Sequence, residues 1–268
     1  LVELGIAMAE RCGGTQFAFV DPRRNDDAAA MVASARRLVR YYHERDVAQR
    51  HIIVSIPATE AGILAARKLE SHGIQTNLIL VGSLMHAATC AEAGATAISI
   101  AVGPLLDCYE RKRKAAHGDL GTHPGVQTIQ ATLAYFRLHN LRTRVVGTHF
   151  RELKEVSALA GFDAVCLSTD QLEVSCWAVA RLEWLPDSSL ASLRARQAQS
   201  PTLLTFLESK TGIMATVSPQ TKSIVADSMY RALGKMEVKM NALEKLVESE
   251  VAWQLALKTM DMKGLFQK

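Results

Sequence analysis

Short apolar runs rich in β-branched residues alternate with amphipathic stretches over most of this chain. The clearest run is residues 52–56, Ile-Ile-Val-Ser-Ile, in which Ser55 is the one polar side chain. A run of this length and composition is typical of a strand buried on both faces of a parallel sheet. It leads through a short loop into a predicted helix with Glu60 in its first turn, where the helix dipole favours a carboxylate.

Five further runs predict strands, at 16–20, 76–81, 96–100, 143–147 and 163–167. Amphipathic stretches before and between them predict helices at 1–11, 28–45, 61–72, 85–93, 105–114, 128–138 and 152–160. Gly73, Gly94 and Gly161 follow three of these helices and are good terminators. This strict alternation predicts an α/β fold with a parallel sheet, either a barrel or a doubly wound sheet. Six strands are two fewer than the eight of a closed (β/α)8 barrel.

The pattern changes after residue 167, where the strand signals end and the sequence becomes mainly helical. A short helix is expected at 201–211 and long helices over 221–265. An apolar, methionine-rich stripe runs from Met229 to Leu257 and indicates core packing rather than a ligand or partner site. We therefore expect one domain spanning 1–268, with a barrel core at 1–167 and a helical part at 168–268.

Composition and charge are ordinary for a globular protein, with 49% hydrophobic residues, 22% charged residues and a net charge of +4. This balance gives no reason to expect a nucleic-acid partner. The basic run at 111–114 lacks the interleaved aromatic residues of a nucleic-acid surface, so it predicts a solvated helix end. No apolar run approaches the ~18 residues of a membrane span, so no membrane partner is expected.

The five cysteines are odd in number and have no close paired spacing. They predict reduced thiols and a cytoplasmic location, and they argue against a disulfide framework or a zinc site. The histidines at 117, 123 and 139 also lack the spacing of metal ligands. No metal and no cofactor are therefore expected. The chain begins with Leu1 rather than Met, so a targeting signal further upstream would not be visible.

Three segments of the chain, in collinear order, resemble the transaldolase family. The first is Val20-Asp21-Pro22-Arg23, and the second is Ser55-Ile56-Pro57-Ala58-Thr59 with Gly62-Ile63. The third comprises residues 76–80, 83, 90–94, 98–99 and 102–107. Weaker similarities follow at 124–126, 147–151 and 159–161, so that the resemblance covers roughly 1–167.

The resemblance implies a transaldolase-type (β/α)8 barrel that lacks its first two strands in this chain. Those strands would precede Leu1 and would carry an aspartate and an asparagine of the family's site. A trimmed chain, an incomplete gene model and a natural open barrel all remain open, the last with sheet edges that something must cover. The family's C-terminal helical tail, which covers the barrel mouth, corresponds to the helical part of this chain.

The resemblance also implies a set of catalytic positions, and several of them are replaced here. Family enzymes form a Schiff base on a strand lysine, and Ser55 stands at that position. A serine cannot form an imine, because it has no amine to condense with a ketose carbonyl. Phe19, Ile79 and Pro104 stand where the family has a glutamate, a threonine and an arginine. The replacements make the predicted site more apolar than the family's.

Four site positions are retained, namely Asp21, Asn77, Ser99 and Arg151. Arg151 matches a phosphate-binding arginine and follows a strand end where barrels commonly bind phosphate. With His149, Ser55 and Asp21 also have the residue types of a Ser-His-Asp triad, although the sequence has no nucleophile elbow. A pairing of Asp21 with Arg23 at the barrel rim is the alternative to a site role for Asp21.

Three functions stay open on the sequence alone. The first is a paralogue of the pentose-phosphate-pathway enzyme that has lost Schiff-base chemistry. It would be silent, or it would be recruited to a sugar-phosphate-like or other carbonyl ligand. The second is an authentic transaldolase of carbohydrate metabolism, which moves a dihydroxyacetone unit between sugar phosphates. The third is a non-catalytic binding protein, for example a partner of a genuine transaldolase subunit. A homodimer is also left open.

Overall fold

A computed structural model describes residues 2–113, 119–178 and 218–265 of the chain. Its six strands are all parallel and lie in sequence order in one sheet, which curls into a partial barrel. The predicted α/β fold with six strands is confirmed. The strands are β1 (Gln16–Phe19), β2 (Ile52–Pro57), β3 (Thr76–Ile79), β4 (Ala97–Ala101), β5 (Arg144–Thr148) and β6 (Ala164–Val165).

Helices follow the strands in the predicted alternation, and side-chain caps begin several of them. Asp27, Thr59 and Ser83 each accept a main-chain N–H bond at the start of the helix that follows β1, β2 and β3, respectively. The helices are α1 (Val2–Cys12), α2 (Ala28–His43), α3 (Glu60–Glu70), α4 (Leu84–Glu92), α5 (Val102–Arg113), α6 (Pro124–Leu138), α7 (Leu153–Ala158), α8 (Thr169–Ala178) and α9 (Pro219–Leu265).

The C-terminal part differs from the prediction in two respects. The long helices expected over 221–265 are one helix, α9, and α8 was not predicted at all. The expected short helix at 201–211 lies outside the described residues.

The hydrophobic core lies between the sheet and the helices on its outer face. Ile52, Val54 and Ile56 of β2 are at most 1% exposed and belong to one cluster with residues of α2 and α3. The alternate residues of each strand point to the inner face. In this inner row Phe19 of β1 is in register with Ser55 of β2, and Ser55 with Asn77 of β3.

A single carboxylate ties two strands together at the amino end of the sheet. Glu70, at the end of α3, accepts hydrogen bonds from the main-chain N–H groups of Thr76 (2.7 Å) and Thr96 (2.8 Å). It also accepts hydrogen bonds from the hydroxyl groups of both threonines, at 2.6 and 3.2 Å. This end of an α/β barrel serves stability, because the chemistry is placed at the opposite end.

Helix α9 crosses the carboxyl ends of the strands. Near its start it bonds to α5, where Arg111 lies 3.4 Å from Asp227. Two residues before Asp227, Val225 packs against Gly82, which follows β3. Near its middle, Glu244 pairs with Arg23, which follows β1. The helical tail therefore lies over the end of the sheet where a barrel site is expected.

The basic run at 111–114 has a role that the sequence did not indicate. Arg111 and Lys112 are exposed, as expected of a helix end. Each also contacts α9, however, since Arg111 pairs with Asp227 and Lys112 donates to the Ser223 hydroxyl at 2.7 Å. These side chains fasten the C-terminal helix to α5.

Candidate functional site

Three polar side chains on the inner face of neighbouring strands form one buried hydrogen-bonded chain. Ser99 of β4 donates from its hydroxyl to Asn77 Oδ1 at 2.9 Å, and Asn77 Nδ2 donates to Ser55 Oγ at 3.3 Å. The three residues are 6%, 3% and 1% exposed. The structure therefore brings together three of the predicted site residues, each held in place by the next.

The side chains of this hydrogen-bonded cluster present hydroxyl and amide groups. Ser55 has an amide as its side-chain partner, and no histidine, carboxylate or amine bonds to it within the described residues. A serine needs an adjacent base to act as a nucleophile. The cluster can therefore position and hydrogen-bond a polar group of a ligand, but it holds no activated nucleophile.

Asp21 lies at the rim of the site rather than in this cluster. It begins the short 3-10 turn Pro22–Arg24 and accepts the Arg23 N–H at 3.0 Å. The Arg23 guanidinium donates to both of its carboxylate oxygens, at 2.7 to 3.0 Å. These hydrogen bonds from Arg23 hold the pKa of Asp21 below its usual value. The rim pairing that the sequence left as an alternative is thus present.

His149 is separated from Ser55 by two strands of the sheet. It follows β5, it is exposed, and its Nδ1 atom lies 3.0 Å from the Thr148 hydroxyl. Its backbone is left-handed (φ 55°), and its carbonyl accepts the N–H of Gly103 at 3.0 Å. Any Cβ at Gly103 would lie 2.7 Å from that carbonyl, so this close approach requires glycine. The structure shows no hydrogen bond that would join His149, Ser55 and Asp21 as a triad within the described residues.

Arg151 is surrounded by carboxylates. Its Nε donates to Glu155 Oε1 at 2.6 Å, and one terminal nitrogen donates to Asp107 Oδ1 at 2.8 Å and to Glu110 Oε1 at 3.0 Å. Its main-chain N–H also donates to Glu155. Burial alone would lower the pKa of Arg151, but the bonds to Glu155 and Glu110 raise it above its usual value. A phosphate at this position would compete with three acidic groups.

His123 also belongs to this acidic cluster. The sequence did not indicate this role, since the spacing of the histidines argued only against a metal site. It is fully buried, and its Nδ1 atom accepts the N–H of Gly125 at 3.0 Å at the start of α6. Its Nε2 atom lies 3.4 Å from Glu110 Oε1. Burial works against the ionised form of Glu110, yet Arg151 and His123 keep the pKa of Glu110 below its usual value.

The replaced positions lie around the cluster. Phe19 is beside Ser55 in the sheet register and is 47% exposed at the edge of β1. Ile79 is buried on β3 in register with Ser99, and Pro104 lies in the first turn of α5. The surroundings of Ser55 and Ser99 therefore include two apolar side chains where the resemblance implies polar ones.

Three general properties can be read from the described residues. The cysteines whose side chains are described, Cys90, Cys108 and Cys166, are free thiols. No group of three or more potential ligands there could hold a metal ion. None of the helices in the described ranges combines the length and hydrophobicity that a membrane crossing requires.

Comparisons with known proteins agree with the fold and with the order of the motifs. The family model for transaldolase/fructose-6-phosphate aldolase matches residues 1–175. "Transaldolase 1" of Pectobacterium atrosepticum is 35% identical over 172 residues, which is 64% of this chain and 54% of that protein. "Transaldolase" of Methylobacillus flagellatus is 36% identical over the same shares, and "Probable transaldolase" of Dictyostelium discoideum is also 36% identical over them.

The chain spans about half the length of the curated relatives it matches. The family model nevertheless covers more than half of this chain, from the first helix to the helix that follows β6. The parallel strands, the residues shared along them and this match all lead to the same assignment: the chain belongs to the transaldolase/fructose-6-phosphate aldolase family.

Proposed function

We propose that this chain is a transaldolase-family protein that binds a carbonyl compound without forming a Schiff base. The feature that supports this most strongly is Ser55, which the resemblance places at the position of the family lysine. It is buried on β2 and hydrogen-bonded to Asn77. Schiff-base formation needs an uncharged amine next to the substrate carbonyl, and a hydroxyl group cannot replace it.

The distribution of lysines supports the same proposal. None of the six described strands contains a lysine, so none of them supplies an amine in place of the family lysine. The described lysines lie on α3, α5, α7 and α9. Loss of an essential covalent nucleophile lowers kcat by up to roughly 10⁶-fold in enzymes where it has been measured. Authentic transaldolase activity is therefore disfavoured in this protein, although the relatives carry that name.

The remaining groups favour binding over covalent chemistry. Ser55, Asn77 and Ser99 offer hydroxyl and amide groups in a dry environment, where hydrogen bonds to a ligand carbonyl or hydroxyl are strong. Phe19 and Ile79 add apolar surface beside them. Arg151 is already bonded to three carboxylates. These features favour a carbonyl ligand that is less polar than a sugar phosphate.

In the cell, we place this protein in the cytoplasm, as a silent or repurposed paralogue in carbohydrate metabolism. The free thiols of the described cysteines suit a reducing compartment. Binding of fructose 6-phosphate can be compared with binding of apolar carbonyl compounds by titration calorimetry. Tight binding of the sugar phosphate, with no affinity for the apolar compounds, would contradict the proposed ligand preference.

Borohydride trapping with fructose 6-phosphate, read by intact mass, tests the proposed loss of chemistry. We expect no covalent adduct on the wild-type chain, and an adduct on a genuine transaldolase treated in parallel. The variant Ser55→Lys returns an amine to the site, and Ser55→Arg is its matched control, since it restores the charge without a reactive amine. A wild-type adduct would refute the proposal, because a lysine outside the position of Ser55 would then be catalytic.

A further inference from the structure

The guanidinium of Arg151 lies at the carboxyl end of the sheet, next to the first turns of α5. Helix α5 begins directly after β4, and Arg151 follows the neighbouring strand β5. Its side chain crosses α5 at Gly103, where an added Cβ would lie 2.7 Å from the Arg151 Cγ atom. Arg151 therefore reaches the face of α5 on which Asp107 and Glu110 lie one turn apart.

Two hydrogen-bond donors converge on one oxygen of Glu110. A terminal nitrogen of Arg151 donates to Glu110 Oε1 at 3.0 Å, and His123 Nε2 lies 3.4 Å from the same oxygen. Because His123 Nδ1 accepts the N–H of Gly125, the neutral ring carries its proton on Nε2, on the side of Glu110. A guanidinium and an imidazole N–H that converge in this way are donors suited to an oxygen of a phosphate or sulfate group.

The three carboxylates around Arg151 are held differently. Glu155 is 3% exposed and binds both Nε and the main-chain N–H of Arg151, so it fixes the orientation of the guanidinium. Asp107 is 44% exposed, so water screens its charge. Glu110 is 25% exposed and has a donor on either side. Glu110 therefore stands where the anionic group of a ligand would find its two donors.

The charge of Glu110 opposes a second anion at this position. Burial works against the ionised form, yet Arg151 and His123 keep the pKa of Glu110 below its usual value, so the carboxylate is charged at neutral pH. A phosphate group would have to displace this carboxylate or lie beside it, and like charges at contact distance in a partly buried place repel strongly.

We propose that Glu110 is a specificity-determining residue, whose carboxylate fills the anion position between Arg151 and His123. The ligand that binds to the buried hydroxyl and amide groups is then an uncharged carbonyl compound, and compounds that carry a phosphate group are excluded. This inference rests on the proposed function, since it concerns the ligand of the same site, and it adds the residue that sets the ligand preference.

Titration calorimetry of the full chain with inorganic phosphate at neutral pH tests the proposal. We expect wild type to bind phosphate weakly and Glu110→Gln to bind it at least about tenfold more tightly, because the competing charge is gone. Glu152→Gln is the matched control. Glu152 precedes Arg151 in the chain, is 66% exposed and pairs with Lys154, so its replacement changes the same net charge and leaves Glu110 in place. The control should stay within about twofold of wild type.

Two further variants keep the test valid. Glu110→Ala empties the position completely and serves if Glu110→Gln does not fold, and circular dichroism checks the fold of each variant. Arg151→Gln, added to Glu110→Gln, should remove the gain in phosphate affinity, because the anion then has no cation to bind. Fructose 6-phosphate should follow inorganic phosphate across the variants, whereas fructose, which has no phosphate group, should bind all of them alike.

Folded Glu110 variants without a gain in phosphate affinity would overturn the proposal, and so would an equal gain in Glu152→Gln. Wild-type binding as tight as that of Glu110→Gln would overturn it as well. These outcomes are independent of borohydride trapping, which reports on an amine at the carbonyl and not on the anion position. A wild-type adduct together with the expected gain in Glu110→Gln would refute the proposed loss of Schiff-base chemistry and support the role of Glu110.

Discussion

Replacing Asn77 with aspartate tests whether the buried chain of Ser55, Asn77 and Ser99 is as dry as the structure indicates. The change keeps the shape of the side chain, and the new carboxyl can still accept the Ser99 hydroxyl. Its second oxygen faces Ser55, whose hydroxyl can turn to donate. The substitution introduces a negative charge at neutral pH, and this charge would lie at residue 77, which is 3% exposed.

The expected loss of stability follows from the cost of burying that charge. Burial can raise the pKa of a carboxyl by up to about 3–5 pH units, and each unit corresponds to about 1.4 kcal/mol between the two protonation states. Hydrogen bonds from the two serine hydroxyls favour the ionised carboxylate and offset part of this cost. We therefore expect Asn77→Asp to lower the free energy of unfolding by about 3 kcal/mol at pH 7.5.

The sign of the pH dependence distinguishes this cause from simple loss of packing. Because the folded-state pKa lies above the unfolded one, the variant keeps its stability below about pH 4. It loses stability as the pH rises through the folded-state pKa. Urea unfolding at several pH values, expressed as the difference from wild type, measures this directly.

Asn140→Asp is the matched control, since Asn140 is exposed at the end of α6 and has a left-handed backbone that aspartate tolerates. It should stay within about 0.5 kcal/mol of wild type at every pH. If the stability of Asn77→Asp matched that of this control at every pH, the cluster would be in contact with water, and the description of a dry site would be wrong.

Two further predictions concern the frame around the site. Glu70→Ala removes the acceptor of four hydrogen bonds at the amino end of the sheet and should lower the free energy of unfolding by about 3 kcal/mol in urea unfolding. As the control, Glu248→Ala changes an exposed glutamate and should cost less than about 0.5 kcal/mol. Equal losses in the two variants would show that the hydrogen bonds of Glu70 are unimportant for stability. Arg23→Ala removes the contact to Glu244, so hydrogen exchange in the middle of α9 should become several-fold faster. Arg40→Ala, which removes a pair with Glu44 at the end of α2, should leave hydrogen exchange in α9 unchanged. If exchange in α9 were unchanged in both variants, the anchoring role of Arg23 would be contradicted.

Local signals in the sequence were sufficient to predict most of the strands of the sheet. The apolar run at 52–56 is a feature of neighbouring residues, and it forms β2 where a strand was predicted. The Asp27 cap at the start of α2 likewise depends only on neighbouring residues. Helices α5 and α6 begin at Val102 and Pro124, earlier than the predicted starts at residues 105 and 128. Proline is tolerated in the first turn, where its missing N–H has no helical partner, and both helices use it there.

Helix α8 was missed for a different reason. Its apolar residues do not gather on one face, so it lacks the amphipathic period on which a sequence-based prediction depends.

The sequence named the candidate site residues one by one, but it could not give the contacts among them. The resemblance identified Arg151, and the i,i+4 spacing of Arg151 and Glu155 is a pairing signal in the sequence itself. Asp107 and Glu110 come from another helix, and only the fold brings them to the same guanidinium. Likewise, Arg23 and Glu244 are 221 residues apart, and no local pattern joins them.

The pairing of β1 with β2 explains why two of the replaced positions belong together. Phe19 and Ser55 are direct neighbours in the sheet register, and the family resemblance places a glutamate and a lysine at these two positions. An ammonium group at the buried position 55 would need a counter-charge, and removing one partner of a buried ion pair costs about 3–5 kcal/mol. Replacement of both by uncharged residues leaves the inner face without an unpaired charge. The proposed loss of Schiff-base chemistry therefore need not have cost this fold its stability, and under the same proposal Asn77 and Ser99 orient the ligand beside Ser55.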